Sequence, residues 1–347
     1  MLEVMEVPLS YKKLRGGTRI QWIGYQLDVG VFEKGISDSK VKWILGWIEK
    51  KKQDGGATGR ELKSALGRLS FVAGALQHIR PFLGPLFAWA SALALGTFSK
   101  FPEAVRSILS MVEREVVRKP MSVPRKMPPL AKEMFRVDAK AEKDLVVIGG
   151  WEIPEDGGTE EARWFSMQLT RRNAPWAFLK GEPFRNISSL ELMAVLMAII
   201  FFGDDPEKFK LRGAMRISGT TDNLGNCYVL QRLLSCKFPL SIVVMELACQ
   251  LERIGLELDL AWAPRNQNVE ADALTNSEFQ GFNESKRIKK ELEEVKFILL
   301  HELMQEAAEM NEELKLAKSS KEAKGDRPER EEPQRKRKGQ TRWQDPW

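Results

Sequence analysis

Three cysteines and two histidines are all that this 347-residue chain holds of the residues that build disulfide frameworks and zinc clusters. Cys227, Cys236 and Cys249 are odd in number, and His78 and His301 lie far apart, so neither kind of site is expected. No uninterrupted apolar run is long enough to span a bilayer, and the opening MLEVMEVPLS carries acidic residues unlike a secretory leader. The expectation is a soluble chain without a membrane partner, cytoplasmic and/or nuclear. Its 43% hydrophobic content and its length leave room for two cores.

Charge is unevenly spread. Residues 1–120 carry 19 Lys+Arg against 11 Asp+Glu, residues 121–280 carry 19 against 22, and residues 281–347 carry 16 against 15. A basic first third beside a slightly acidic middle suits a polyanion held by one part and processed by metal ions in the other; an ordinary solvated surface gives the same balance.

In the first part, TRIQWIGYQLDVGVF (18–32) alternates apolar and polar residues as a strand or hairpin does. Ser37 or Asp38 caps a helix carrying Val41, Ile44, Leu45 and Ile48, which ends before Gly55 and Gly56. Thr58 and Glu61 form a capping box for a second helix with Leu62, Ala65, Leu66, Leu69 and Val72 on its buried stripe. An apolar segment spans Pro81 to Leu95, and the proline-punctuated residues 121–130 read as a linker. Three strands follow, RVDAK, LVVIGGWEI (145–153) and RWFSMQLT (163–170), then helix and strand alternate. The fold class is α/β: a mixed five-stranded sheet with flanking helices over 131–280, after a mainly helical region over 1–120. A charged amphipathic helix is expected over 281–318, able to pair with a partner helix through 285–318 or to pack back on the chain. Residues 319–347 have the composition of a disordered basic/acidic tail, with KRK at 336–338.

Four carboxylates stand in distinct settings: Asp138 in FRVDAK, Glu191 in SSLELMAVLMAI, Asp222 in MRISGTTDN and Asp272 in APRNQNVEADAL. An ionised Glu191 among Leu190, Leu192, Val195 and Ala198 is costly to bury without a partner, and its helix offers no cation within one turn. A shared metal ion would compensate it, and a solvated place at the helix end would avoid the cost. Asp222 is equally suited to an N-cap and Asp272 to satisfying a helix dipole. Asp138, between Val137 and Ala139 on a strand, has no such local use. A set in which strand, helix, strand and helix each deliver one acid points to a pair of Mg²⁺ ions, with Mn²⁺ as a substitute.

D-A-K before a strand ending in GGW, S-S-L-E-L, T-D-N and A-P-R-x-x-N-x-x-A-D-A-L resemble the RNase H domain of retroelement reverse transcriptases, especially DIRS-like and LTR types. WIGYQLD (22–28), ISDSKV (36–41) and ELKSALGRLSFVAGALQHIRPFLGPLFAW (61–89) resemble the end of a reverse transcriptase palm and its thumb. The resemblance covers roughly residues 8–280 and implies an RNase H-like domain that degrades the RNA of RNA/DNA hybrids. It implies that Asp138, Glu191, Asp222 and Asp272 are the catalytic metal ligands. It also implies contacts to nucleic acid through Lys63, Arg68 and Arg80 of the thumb and through Asn223, Arg265 and Asn268 of the nuclease, with the rest of a retroelement polyprotein as a partner.

Two departures qualify that pattern. The polymerase aspartates of the palm have no counterpart upstream of WIGYQLD, and FFGDD (201–205), followed by Pro206, reads as a helix terminus rather than a polymerase site. No histidine lies near Asp272, where many cellular and retroviral RNases H carry one. The competing readings are a catalytically silent nucleic-acid-binding remnant and an RNase H-like transposase or integrase domain.

Overall fold

The computed structural model describes residues 16–122, 133–155, 158–179, 181–203 and 215–323. Most of the expected linker, Asp204 and Asp205 of FFGDD, and the tail beyond 323 lie outside the described residues.

The alternation after Thr18 forms a hairpin of β1 (Arg19–Trp22) and β2 (Tyr25–Asp28), turning at Ile23 and Gly24, both of positive φ. β3 (Glu33–Ile36) pairs with β2. Next comes α1 (Asp38–Asp54), closed by Gly55 in the left-handed conformation that glycine adopts without a Cβ penalty. After β4 (Gly56–Thr58), the expected capping box opens α2 (Gly59–Ala75): the Glu61 amide donates to Thr58 Oγ1 at 3.2 Å and the Thr58 amide donates back to Glu61 Oε2 at 2.9 Å. A 3₁₀ turn over Gln77–Phe82 leads into α3 (Leu83–Ala92). β5 (Phe98–Lys100) pairs with β4, α4 (Glu103–Arg118) follows, and β6 (Met121–Ser122) adds to β3. The expected elements did not include α4, although Val105, Ile108, Leu109, Val112 and Val116 line its buried face at helical spacing.

The three expected strands are β7 (Glu133–Glu142), β8 (Leu145–Glu152) and β9 (Trp164–Leu169), paired as an antiparallel meander. Then come α5 (Ile187–Phe202), β10 (Met215–Thr221), α6 (Leu224–Arg232), α7 (Leu240–Ile254), β11 (Leu256–Trp262) and α8 (Val269–Thr275). The sheet order is β11-β10-β7-β8-β9, with β10 parallel to both β7 and β11. A meander whose first strand is joined in parallel by two strands reached through helices is the RNase H-like arrangement. α5 and the turn before it are long and apolar enough to cross a bilayer by length and composition alone. Here α5 packs on β7, β8 and α7, which explains why it is apolar nearly all round.

The helix expected over 281–318 is corrected: only α9 (Leu300–Ala323) is helical, and residues 281–299 cross the surface with two short 3₁₀ turns, Glu284–Lys286 and Leu292–Glu294. The Ile288 amide donates to the Trp164 carbonyl at 2.8 Å, which takes that stretch out of helical hydrogen bonding. Leu292, Val295 and Leu299 are buried nonetheless, so their helix-like spacing serves an irregular path. Glu246 of α7, fully buried, decides where the helix starts, because its carboxylate accepts the amides of Ile298, Leu299 and Leu300 at 2.8 to 3.1 Å. The apolar stripe of α9, Leu303, Met304, Ala307, Met310 and Leu314, is spent on α3, α4 and α7 rather than presented to a partner helix. One continuous apolar cluster thereby reaches from Ile36 to Leu314.

Candidate metal centre

Strand register places the first two acids. Asp138 is midway along β7, opposite Gly149 of β8. Thr220 of β10 lies opposite Arg136 of β7, and continuing that parallel register two residues sets Asp222 beside Asp138. Glu191 comes from the start of α5, which packs on β7 and β8. Carboxylate oxygens of Asp138, Glu191 and Asp222 lie within 4.8 Å of one another.

The electrostatics of this group are unfavourable as it stands. Asp138 and Glu191 are 3% and 4% exposed, and neither they nor Asp222 form an ion pair among the described residues. Burial, then the charges of Asp138 and Asp222, hold the Glu191 carboxyl well above the usual carboxylate range. Burial first, and then Asp222 and Asp272, push Asp138 up, opposed by a hydrogen bond from Thr275 and by the Arg265 charge. The solvated helix-end alternative for Glu191 is thus excluded, and the N-cap of α6 is Asn223, whose side chain accepts the Asn226 amide, rather than Asp222.

A frame of polar contacts fixes these acids. Thr275 Oγ1 lies 2.8 Å from Asp138 Oδ2, Thr221 Oγ1 lies 3.4 Å from Glu191 Oε2, and the Trp262 indole donates to the Asp222 carbonyl at 2.9 Å. Gly149 lets α8 approach the sheet, since a Cβ there would meet Leu274 Cβ at 3.0 Å and Thr275 Cγ2 at 3.3 Å. Sequence reading missed Thr275, Thr221 and Trp262. The adjacency of Thr221 to Asp222 in TTDN, and of Thr275 to Asp272 one helical turn back, was the available signal.

Asp272 is not one of the gathered carboxylates. Arg265 donates to its Oδ1 through both Nε, at 2.8 Å, and Nη2, while Asn276 donates to Oδ2 at 2.9 Å. Arg265 itself is 69% exposed at its side chain. Asn268 is corrected as a nucleic-acid contact: it is 1% exposed and its amide donates to the Val137 carbonyl at 2.9 Å, bracing β7. Asn223 is half-buried at its cap position, with its amide 3.4 Å from Ser188 Oγ. Lys63 is exposed on α2, Arg68 lies over the Trp43 ring at 4.3 Å, and Arg80 is half-buried in the 3₁₀ turn. Those three sit in the helical region, on other elements than those that carry the carboxylates.

No protein-family model matches the sequence, and no curated protein matches it. Among solved structures, the chain is similar to RNase H1 from the halophilic archaeon Halobacterium salinarum NRC-1, at 16% identity and a TM-score of 0.27, over 42% of this chain and 95% of that one. It is also similar to the foamy viral protease-reverse transcriptase in complex with RNA/DNA hybrid, at 14% identity and a TM-score of 0.25, over 70% of this chain and 29% of that one. The same viral protein in complex with dsDNA matches at 15% identity and a TM-score of 0.25, over 71% and 45% of the two chains. The chain therefore spans less than half of the foamy viral chains that it matches.

The donor set fits a hard divalent cation. Three carboxylates without thiolate or imidazole are the oxygen ligands that Mg²⁺ takes, and two of them are buried without a compensating cation among the described residues. Keeping such ions dry and unpaired costs on the order of several kcal/mol each, a cost that a bound cation offsets.

Proposed function

We propose that the chain is a metal-dependent endoribonuclease that cleaves the RNA strand of RNA/DNA hybrids, working as the RNase H part of a retroelement reverse transcriptase. The observation that carries this reading is the convergence of Asp138, Glu191 and Asp222 on one point of an RNase H-like sheet, two of them buried and without an ion-pair partner among the described residues. The resemblance of the motifs around them supplies the substrate class.

Asp138, Glu191 and Asp222 would hold the metal, Mg²⁺ or Mn²⁺, and Asp272 is the candidate to complete a second site. When bound, such a pair activates water for in-line attack on a phosphodiester and stabilises the departing 3′ oxygen, which leaves 5′-phosphate and 3′-hydroxyl ends. The chain's own part is to keep the acids in register. β7 and β10 fix Asp138 and Asp222, α5 fixes Glu191, and Thr221 and Thr275 orient two of the carboxylates. The half-exposed Trp262, pinned at the mouth of the site, offers an aromatic surface to the substrate.

The test is a Mg²⁺ titration with a labelled RNA/DNA hybrid, single-stranded RNA and duplex DNA. Metal-dependent cutting of the hybrid's RNA strand, lost in Asp138→Asn and Asp222→Asn, is expected. Binding of the hybrid with no cleavage at any Mg²⁺ or Mn²⁺ concentration would establish the silent remnant instead, and an Asp138→Asn protein that cuts like wild type would overturn the site assignment.

A further inference from the structure

Asp272 faces two claims. It lies one helical turn before Thr275, whose hydroxyl contacts both Asp138 Oδ2 and the Asp272 carbonyl, yet its two oxygens are engaged by Arg265 and Asn276. The two halves of that grip differ in character. Asn276 is itself held, since Lys140 Nζ donates to its Oδ1 at 2.8 Å, and its amide also reaches the Asp272 carbonyl. Apart from its contact with Asp272, Arg265 is anchored among the described residues through its backbone: it opens the 3₁₀ turn Arg265–Gln267, which Arg136 secures at the Gln267 carbonyl and Asn268 secures to β7. Its guanidinium is mostly in solvent and puts both donors on a single carboxylate oxygen.

A solvated ion pair of this kind contributes little to stability. A guanidinium that meets a phosphate can instead place two parallel N–H donors on two oxygens, with stronger charge assistance. The exchange of Asp272 for a backbone phosphate is thus close to neutral or downhill, and it needs only a side-chain movement. Its consequence falls on the acidic group, because Asp272 stands on the same short helix as Thr275, which is bonded to Asp138.

We infer that Arg265 is a substrate-exchangeable latch, a positioning residue that neutralises Asp272 in the free protein and hands it to the metal centre when a phosphate of the polynucleotide backbone takes its place. This inference rests on the metal-dependent nuclease reading and goes beyond it in stating what completes the site: the second cation position becomes competent only when a phosphodiester strand is present. Phosphate backbone and cation then bind with mutual reinforcement.

The experiment is a Mn²⁺ titration of the full chain without nucleic acid, read by paramagnetic resonance of free Mn²⁺, on wild type, Arg265→Gln, Asp272→Asn, the double variant and Asp138→Asn. Circular dichroism of each variant confirms folding. In wild type, one Asp138-dependent ion is expected, and a non-cleavable hybrid with a modified RNA strand should add a second. In Arg265→Gln, the second ion should bind about tenfold more tightly without any hybrid, and the double variant should lose that gain; a tenfold change corresponds to about 1.4 kcal/mol. If Arg265→Gln binds Mn²⁺ as wild type does, the pair is a fixed structural contact and the latch is wrong while the metal centre stands. If wild type shows no Asp138-dependent Mn²⁺ at all, the nuclease reading fails first, and the latch with it.

Discussion

Thr275 Oγ1 donates to Asp138 Oδ2 across 2.8 Å, which ties the last residue of α8 to the middle of β7 through the most enclosed acid of the strand. Replacing Thr275 with Val keeps the shape and removes the one hydrogen-bond donor to that carboxylate among the described residues. Thr275→Val should lower unfolding free energy by about 1–3 kcal/mol and weaken Mg²⁺ affinity by roughly 10-fold or more. Denaturant unfolding and metal titration check both, and Thr275→Ser should restore most of each.

Like-charge crowding predicts an opposite sign for the acids themselves. Asp138→Asn removes one of three mutually repelling carboxylates while leaving an oxygen for Thr275, so without metal its melting temperature should exceed that of wild type. Millimolar Mg²⁺ should raise the wild-type melting temperature by several degrees, as expected for a ligand that binds only the folded state, and should leave Asp138→Asn unmoved. A scan of both proteins with and without Mg²⁺ decides this, and equal shifts would remove Asp138 from the centre.

Away from the gathered acids in sequence, Glu246 receives three amides at the start of α9. Glu246→Ala strands those donors in a dry interior and should cost about 3 kcal/mol or more. Hydrogen exchange should report the loss locally, with protection falling over residues 298–310 before it falls in β7 and β8.

Acid should undo the α2 capping box in a defined window. Lys51 first, and then the Thr58 amide, hold the Glu61 carboxyl at about 2, below its usual 4.5. A depressed folded-state value means that the ionised group stabilises the fold above the unfolded value and that this stabilisation is lost as pH falls through the folded one. The stability difference between wild type and Glu61→Gln should therefore be complete at pH 7 and shrink between about pH 4.5 and 2. Paired pH series of urea unfolding measure it; a constant difference across that window would refute the assignment.

Much of this was legible in residues. The three-strand meander, the apolar α5 and the β10 and β11 runs followed from period-two alternation and from an all-round apolar helix, and the settings of Asp138, Glu191 and Asp222 gave the gathered acids. What escaped has a common physical cause. Apolar spacing records burial, and Ile288, Leu292 and Val295 are spaced like a helix while lying on an irregular path, because their partners in β9 and α7 are distant in sequence. Asn268 looked like a surface polar residue since nothing local shows that it braces Val137, 131 positions away. Asp272 kept its expected neighbourhood but stands apart from the three gathered acids, because a cation seven residues earlier holds it.

The wedge of α9 against α3, α4 and α7 has a geometric outcome. A basic helical region that shares its interior with the five-stranded sheet cannot swing about a hinge, so under the function proposed above the molecule would act as a caliper with one jaw at Lys63 and Arg68 and the other at Asp138. A strand held at the first jaw would be cut at a set number of nucleotides from it, and loosening α9 would turn a sharp fragment length into a smear.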